Sequence, residues 1–431
     1  MRRFRLSVLT LALLAAALAV VAGTASGARK HYAVSGKIAV IGVWTGPEQK
    51  RFEAVLAGFK KKFPGVSVKY TSAGDNTPTV LSTAVQGGNP PDLASIAQPG
   101  LVKDFATRKA LKPIDFAKGT IAANYAPSWL TLGTFNGHLY GLVFKGANKS
   151  TIWYNVSAFK NAGIKPPSTW PALVKAAATL KASGLPAYSI GGADGWTLTD
   201  LMENIYLRQA GAAKYDQLAT HKIKWTDPSV KATLKTMAGV LGASSEIFGG
   251  TTGALQTDFP TSVNNVFANP PKAAMVLEGD FVPGVATAKA TPVKQYNEFA
   301  FPSVGGSAPA VVGGGDTVVM FKDNPAARAL VTYLASPEAG AIAAKFSAGF
   351  SSPNKNVPAS AYTDPLNRAT AVALAHAKVF RFDLSDLQPA AFGGTVGQGE
   401  FKLFQDFLKN PKNVNGVAAQ LEAAAAAAYK K

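Results

Sequence analysis

The residues with the most capacity for chemistry lie in one stretch, Gly191-Gly192-Ala193-Asp194-Gly195-Trp196-Thr197-Leu198-Thr199-Asp200. It follows an apolar run ending in Tyr188-Ser189-Ile190 and precedes a helix-like segment from Leu201. Two glycines beside a strand end let the backbone turn sharply and approach a ligand closely. A tryptophan in such a turn, flanked by Asp, Thr and Gly, can present an aromatic face ringed by hydrogen-bonding groups, the surface a sugar ring needs. The same indole could instead cap the hydrophobic core beneath the turn, and these residues alone leave both readings open. Asp194 and Gly195 go with the first reading. Asp200, at the start of the next helix, reads as a cap.

Other reactive groups are sparse. The four histidines, His31, His138, His221 and His376, stand singly without ligand spacing, and the chain has no cysteine. Disulfides, a thiol nucleophile and a thiolate metal site are thereby excluded. No phosphate-binding Gly-Lys-Ser loop or Gly-x-Ser-x-Gly elbow occurs, so neither a metal nor a nucleotide cofactor is expected. Carboxylates remain. Glu278 and Asp280 stand i, i+2 on a strand-like run, and Glu48, Asp194 and Asp316 could converge with them. Two carboxylates suffice for a glycosidase, but carboxylates in a cleft also serve as strong acceptors for ligand hydroxyls. Aromatic faces with several carboxylates would also suit a polyamine.

The elements that must position these groups follow from hydrophobic periodicity. Residues 38–43 form a near-continuous apolar run, the pattern of a strand buried on both faces of a parallel sheet. Phe52, Val55, Leu56, Phe59 and Phe63 recur at helical spacing before Pro64-Gly65. A second strand, a helix opened by Asp75-Asn76-Thr77-Pro78 and a third strand through Asp92–Ile96 complete a β-α-β-α-β order, which specifies a doubly wound parallel sheet. Ligands of such sheets bind at the carboxyl ends of the strands. That rule selects Trp44, Thr45, Glu48, Asp75, Asn76 and Gln98, although Glu48 could simply face a helix N-terminus. Asp280 again follows a buried-strand run, and Asp316 follows the glycine triplet Gly313-Gly314-Gly315.

A chain of 431 residues with 47% hydrophobic and 16% charged residues is globular and long enough for two domains. Arg2, Arg3 and Arg5, the apolar run Leu6–Val21 and small residues through Ala28 read as an export signal over residues 1–28, or as a retained anchor helix. Without a cysteine, lipid attachment at the cleavage point is ruled out, so the mature protein is expected outside the cytoplasmic membrane and not lipid-anchored. The net charge of +19 is spread along the chain; with an export signal, nucleic acid is not the expected partner.

The order of motifs resembles the solute-binding component of bacterial ABC importers, in the carbohydrate-binding group. Trp44-Thr45-Gly46, Asn89-Pro90-Pro91-Asp92, Ala147-Asn148-Lys149-Ser150 with Trp153-Tyr154-Asn155, and 191–200 resemble its α-glucoside-binding subgroup. So do Leu255–Pro260, Met275–Phe281, Gly313–Asp316, Ser352–Asn356, Phe380–Asp383 and Ala391–Thr395. The resemblance implies a two-lobe α/β fold of the periplasmic-binding-protein kind (type II), each lobe a mostly parallel sheet flanked by helices. Residues 37–148 and 313–352 would form one lobe, and residues 149–312 and 353–431 the other. Hinges would fall near Lys149, Gly313–Gly315 and Ser352–Asn354. The implied protein is a monomeric receptor that passes a sugar, an α-glucoside and most simply a disaccharide, to a permease with an ATPase. Its ligand would meet Trp44, Thr45, Glu48, Asn76, Gln98, Lys145, Asn148, Asp194, Gly195, Trp196, Asp280, Gly315, Asp316 and Arg381. Trp196 and Trp44 would stack on rings; Arg381 could instead pair with Asp383. An exported glycosidase and a receptor for a polyamine or peptide are the alternatives.

Overall fold

β1 (Ser35–Gly42) pairs in parallel with β2 (Gly65–Ser72), and β3 (Leu93–Ile96) pairs in parallel along the other side of β1. Helices Gly46–Lys62 and Thr77–Gln86 are the crossovers, as the periodicity predicts. Phe52, Val55, Leu56 and Phe59 face the core. The computed structural model that shows this describes residues 34–286, 294–346 and 349–430. The export signal expected over residues 1–28 lies outside them. Among the described residues, no helix is long and apolar enough to cross a membrane.

One expectation fails in β1. Ile38 and Val40 are buried, but Ala39 is exposed and Ile41 half-buried, so the second face is only partly covered near this edge. Phe59 and Phe105 are both 0% exposed, and Ile41 packs against the cluster that holds Phe105, Leu81 and Ala94. Each of the two phenylalanines contributes about 1.5–3 kcal/mol by burial.

A tight hairpin, β4 (Thr134–Phe135) and β5 (His138–Leu139), turns on Asn136 and Gly137, both with positive φ. β6 (Gly141–Asn148) then leads into β7 (Thr151–Asn155), which begins a second sheet with β8 (Met275–Val276) and β9 (Tyr296–Ala300). β10 (Val311–Met320) returns to the first sheet. It pairs antiparallel with β6 and β3, and parallel with β11 (Phe380–Phe382). The first sheet is therefore mixed and not the all-parallel sheet expected. β10 and β11 run opposite to β1–β3, whereas β6, antiparallel to β10, runs in their sense. In the second sheet β7 is antiparallel to both neighbours, and Tyr188 makes parallel bridges to Met275 and Ile247. The result is a two-lobe α/β fold.

The glycine triplet, expected near a hinge, lies in β10 opposite Asn148, Ala147 and Gly146, and it is closely packed there. A Cβ would lie 2.2 Å from the Phe380 ring at Gly313, 2.8 Å from Lys149 Cε at Gly314 and 2.6 Å from the Lys145 carbonyl oxygen at Gly315. The register then shifts between Asp316 and Thr317, a bulge of the kind that re-aims a side chain.

The helix Trp196–Ala219 runs through the second lobe with residues 197–208 buried, until Gly211 interrupts its helical dihedrals. Trp225, Tyr206, Phe404 and Phe407 pack in the same core.

Candidate functional site

The opening stretch folds as a sharp turn into that helix. Gly195 takes φ +82, where a Cβ would also meet Phe401 at 2.7 Å. Thr197 Oγ1 donates to the Gly191 carbonyl at 2.8 Å, and Gln405 Nε2 donates to the carbonyls of Gly192 and Ala193. Trp196 is thereby fixed at the first helical position, half-buried. Its ring meets Phe259 edge-on at 4.9 Å and Phe281 at 6.0 Å, and Lys149 Nζ lies 5.6 Å from its centroid. Nε1 donates to Asp75 Oδ2 at 3.3 Å, joining the end of β2 to the second lobe.

These groups border a cavity of about 320 Å³. Trp44, Thr45, Glu48, Gln98, Lys145, Asp194, Trp196, Gly315 and Asp316 all line it, which brings together most of the residues expected there. A charged wall stands on the first lobe. Lys145 Nζ donates to Glu48 Oε1 at 2.6 Å and lies 3.4 Å from Asp316. Burial alone would lower the Lys145 pKa, but Glu48 and Asp316 outweigh it and hold the ammonium above its ordinary value. Cross-strand pairing of Lys145 with Asp316 at the bulge sets this geometry.

Five expected residues fall outside the lining. Asn76 is exposed on the 3₁₀ turn before its helix. Asn148 is 3% exposed and accepts from the Ser150 backbone N–H, capping the turn between β6 and β7. Gly195 is buried against Phe401. Asp280 is fully buried and accepts from Ser351 Oγ at 2.6 Å; burial pushes its carboxyl up to about 6. Arg381 grips Asp216 through two hydrogen bonds of 2.6 and 3.0 Å at the surface, so it meets neither the cavity nor Asp383. Two further roles change. Trp44 borders the cavity but is 3% exposed, packed among Phe52, Tyr70 and Phe144, with Nε1 donating to Asp316 Oδ2 at 2.6 Å. It holds the wall and offers no open face. Asp200, expected as a cap, lies a turn inside the helix and pairs with Lys149 at 3.1 Å.

The lining also includes Lys149, Asp258, Phe259, Phe281, Asp386 and Phe401, which the sequence reading did not single out as contacts. Phe259 and Phe281 do lie in motifs that carried the resemblance, while Asp386 and Phe401 carry no local signal. Asp75 follows from the strand-end rule.

Asp194 Oδ2 accepts from the Phe259 backbone N–H at 2.6 Å, which orients the neighbouring ring. Burial pushes its carboxyl up to about 6, with Asp75 and Asp258 adding to the shift and the Phe259 N–H opposing it. An ordinary carboxylate titrates near about 3.9. The folded state thus holds this proton more tightly, and the stability due to Asp194 falls as pH rises from about 4 to 6. The Asp194→Asn variant is expected to show a flatter profile of melting temperature across that window. An unchanged profile would remove Asp194 as the group responsible.

A cleft between two α/β lobes, walled by an ion cluster on one side and an indole on the other, defines a two-lobe binding protein. The chain belongs to the family of bacterial extracellular solute-binding proteins, whose model matches residues 43–341. It is 34% identical over 373 residues to the osmoprotective compounds-binding protein GgtB of Synechocystis sp., covering 85% of this chain and 86% of that one. It is 31% identical over 389 residues to the alpha-glucosides-binding periplasmic protein AglE of Rhizobium meliloti, covering 86% and 83%. Among solved structures, the solute receptor AcbH superposes with a TM-score of 0.81 at 19% identity, over 92% of this chain and all of that one. The GacH receptor of Streptomyces glaucescens superposes at 0.73 and 18%, over 92% and 99%. The chain is therefore a solute-binding protein and not an enzyme.

Proposed function

We propose that this protein is an extracytoplasmic sugar receptor of an ABC importer, that its ligand is an α-glucoside, most simply a disaccharide, and that it delivers this ligand to a permease driven by an ATPase. The observation that carries the reading is the juxtaposition of the half-buried Trp196 ring with Asp75, Asp194, Glu48, Lys145 and Asp316 around one cavity. Apolar ring faces of a sugar stack on the indole while its hydroxyls meet charged acceptors and donors, the stronger class of hydrogen bond. The cavity volume sits at the low end of the roughly 300–1,000 Å³ usual for small-molecule sites. The names of the two relatives, one for osmoprotective compounds and one for α-glucosides, support a small polyhydroxylated ligand.

Trp196 and Lys145 stand on opposite lobes, so a ligand that touches both favours the closed form. The lobes would be residues 37–148 with 313–352, and residues 149–312 with 353–431, closing about the connections near Lys149, Gly313–Gly315 and Ser352–Asn354. Calorimetry against trehalose, sucrose, maltose and spermidine tests the reading. Saturable binding of at least one α-glucoside and none of spermidine is expected. Tight spermidine binding with no response to any glucoside would replace it with a polyamine receptor.

A further inference from the structure

A second cation stands behind the charged wall of the first lobe. Arg51 is 4% exposed and lies on the core face of the helix Gly46–Lys62, beside Phe52 and Val55. It does not line the cleft cavity, as Glu48, Lys145 and Asp316 do. It borders a smaller void with Trp44, Glu48, Phe144 and Lys145. Taking a guanidinium out of water is costly unless charges and hydrogen bonds offset the loss. Burial pulls the Arg51 pKa below its ordinary value, while Glu48, Asp280 and Asp316 oppose the shift. The guanidinium stays charged, as arginine does in proteins. With Lys145 it sets two positive charges against the two carboxylates of the wall.

The two cations converge on one oxygen. Lys145 Nζ donates to Glu48 Oε1 at 2.6 Å, and Arg51 Nη1 lies 3.7 Å from the same atom. Glu48 and Arg51 stand i, i+3 on the helix, which sets them side by side. Asp316 repeats the pattern, since its Oδ2 accepts from Trp44 Nε1 and lies 3.4 Å from Lys145 Nζ. Glu48 Oε2 and Asp316 Oδ1 have no hydrogen-bond partner among the described residues. The two side chains keep 13% and 11% of their surface exposed, and both border the cavity. Each carboxylate thus uses one oxygen inside the wall and leaves the other for the cleft. Arg51 is itself anchored. Its Nη1 donates to the Gly349 carbonyl at 3.3 Å, and its guanidinium lies 5.7 Å from the centroid of the Phe350 ring. A Cβ at Gly349 would lie 2.3 Å from Phe281 Cα, so that carbonyl has little room to move.

We propose that Arg51 is a positioning residue of the binding site: with Lys145 it holds the Glu48 carboxylate by Oε1 and so presents Oε2 to a hydroxyl of the ligand. The proposal rests on the sugar-receptor reading of the cleft. One ammonium leaves a carboxylate free to pivot about a single contact. A second cation at the same oxygen makes Oε1 the anchor and removes that freedom. A charged acceptor makes the stronger class of hydrogen bond, and only when its lone pairs face the donor. Arg51 therefore acts on affinity without touching the ligand.

Calorimetry of the full-length protein against trehalose, sucrose and maltose tests this on Arg51→Met, Arg51→Lys, Glu48→Gln and the double variant Arg51→Met with Glu48→Gln. Arg51→Met is expected to weaken α-glucoside binding about tenfold, the scale of one misdirected hydrogen bond to a charged group, while keeping the far-ultraviolet circular dichroism of the parent. Arg51→Lys, which restores a positive charge, should recover most of that loss. In the Glu48→Gln background the methionine substitution should cost less than about twofold, because residues that act through one group are not additive. An unchanged affinity in Arg51→Met overturns the proposal. A full loss that persists in the Glu48→Gln background, or a lysine variant no better than methionine, gives Arg51 a packing role alone and overturns it as well. Arg51→Gln, which keeps a donor for the Gly349 carbonyl and lacks the charge, carries the test should Arg51→Met not fold. The ligand-free crystal structure of the variant needs no sugar: Glu48 is expected to turn so that Oε1 and Oε2 no longer keep their separate roles, and an undisturbed Glu48 overturns the proposal. A parent protein that binds none of the three sugars would sink the α-glucoside reading by itself, and that crystal structure then decides on Arg51.

Discussion

Replacing Lys149 by methionine is expected to lower folding stability by about 3–5 kcal/mol, the usual cost of stripping a buried ion cluster of its cation. The side chain is 11% exposed, and its partners Asp200 and Asp383 are 2% and 0% exposed. Burial alone would push the ammonium pKa down, but the facing carboxylates Asp200 and Asp383 reverse this and hold it well above its ordinary value. It therefore remains charged at neutral pH. Methionine keeps the stem that passes Gly314 and removes only the charge, so lost packing contributes little. Urea unfolding measures the effect. A loss below about 1 kcal/mol would mean that the carboxylates are neutralised without Lys149. Adding Asp200→Asn should restore part of the stability, because it removes one of the stranded charges.

The second large effect is on binding. Trp196→Ala is expected to weaken the affinity for an α-glucoside about tenfold to a hundredfold, the scale of about 1–3 kcal/mol for one large buried side chain. Trp196→Phe separates the two contributions of the indole. It keeps an aromatic face against the ligand but loses the Nε1 donor to Asp75, so it should recover most of the affinity if stacking dominates. Calorimetry on both variants reads the split. An unchanged dissociation constant in Trp196→Ala would remove the ring from the site.

Local signals carried the reading of the chain a long way. Period 3.6 in Phe52, Val55, Leu56 and Phe59 marks a helix whose buried face is the observed one. Asn136-Gly137 marks the hairpin, and the Gly191–Asp200 turn does place Trp196 at the cavity. Strand direction was less legible. An apolar run such as Gly141–Asn148 does not reveal whether it enters a sheet parallel or antiparallel, and β6 and β10 proved antiparallel. The strand-end rule finds the correct end of the sheet but not the aim of each side chain. It chose Trp44 and Asn76 equally with Thr45 and Gln98. Only the packing of Phe52, Tyr70 and Phe144 decides that Trp44 has no free face. The Lys149 cluster had no local signature, since its partners stand 51 and 234 residues away.

The packing around Gly313–Gly315 bears on how such a receptor can change its diet over evolutionary time. Any side chain acquired there would collide with Phe380, Lys149 or the Lys145 carbonyl, so the floor of the cleft is closed to drift. The opposite holds at the mouth, where Val396 is 40% exposed and borders the same cavity. New specificities should therefore arise by exchange of rim residues over an invariant floor, with the affinity for one solute traded for another while the inherited scaffold stays intact.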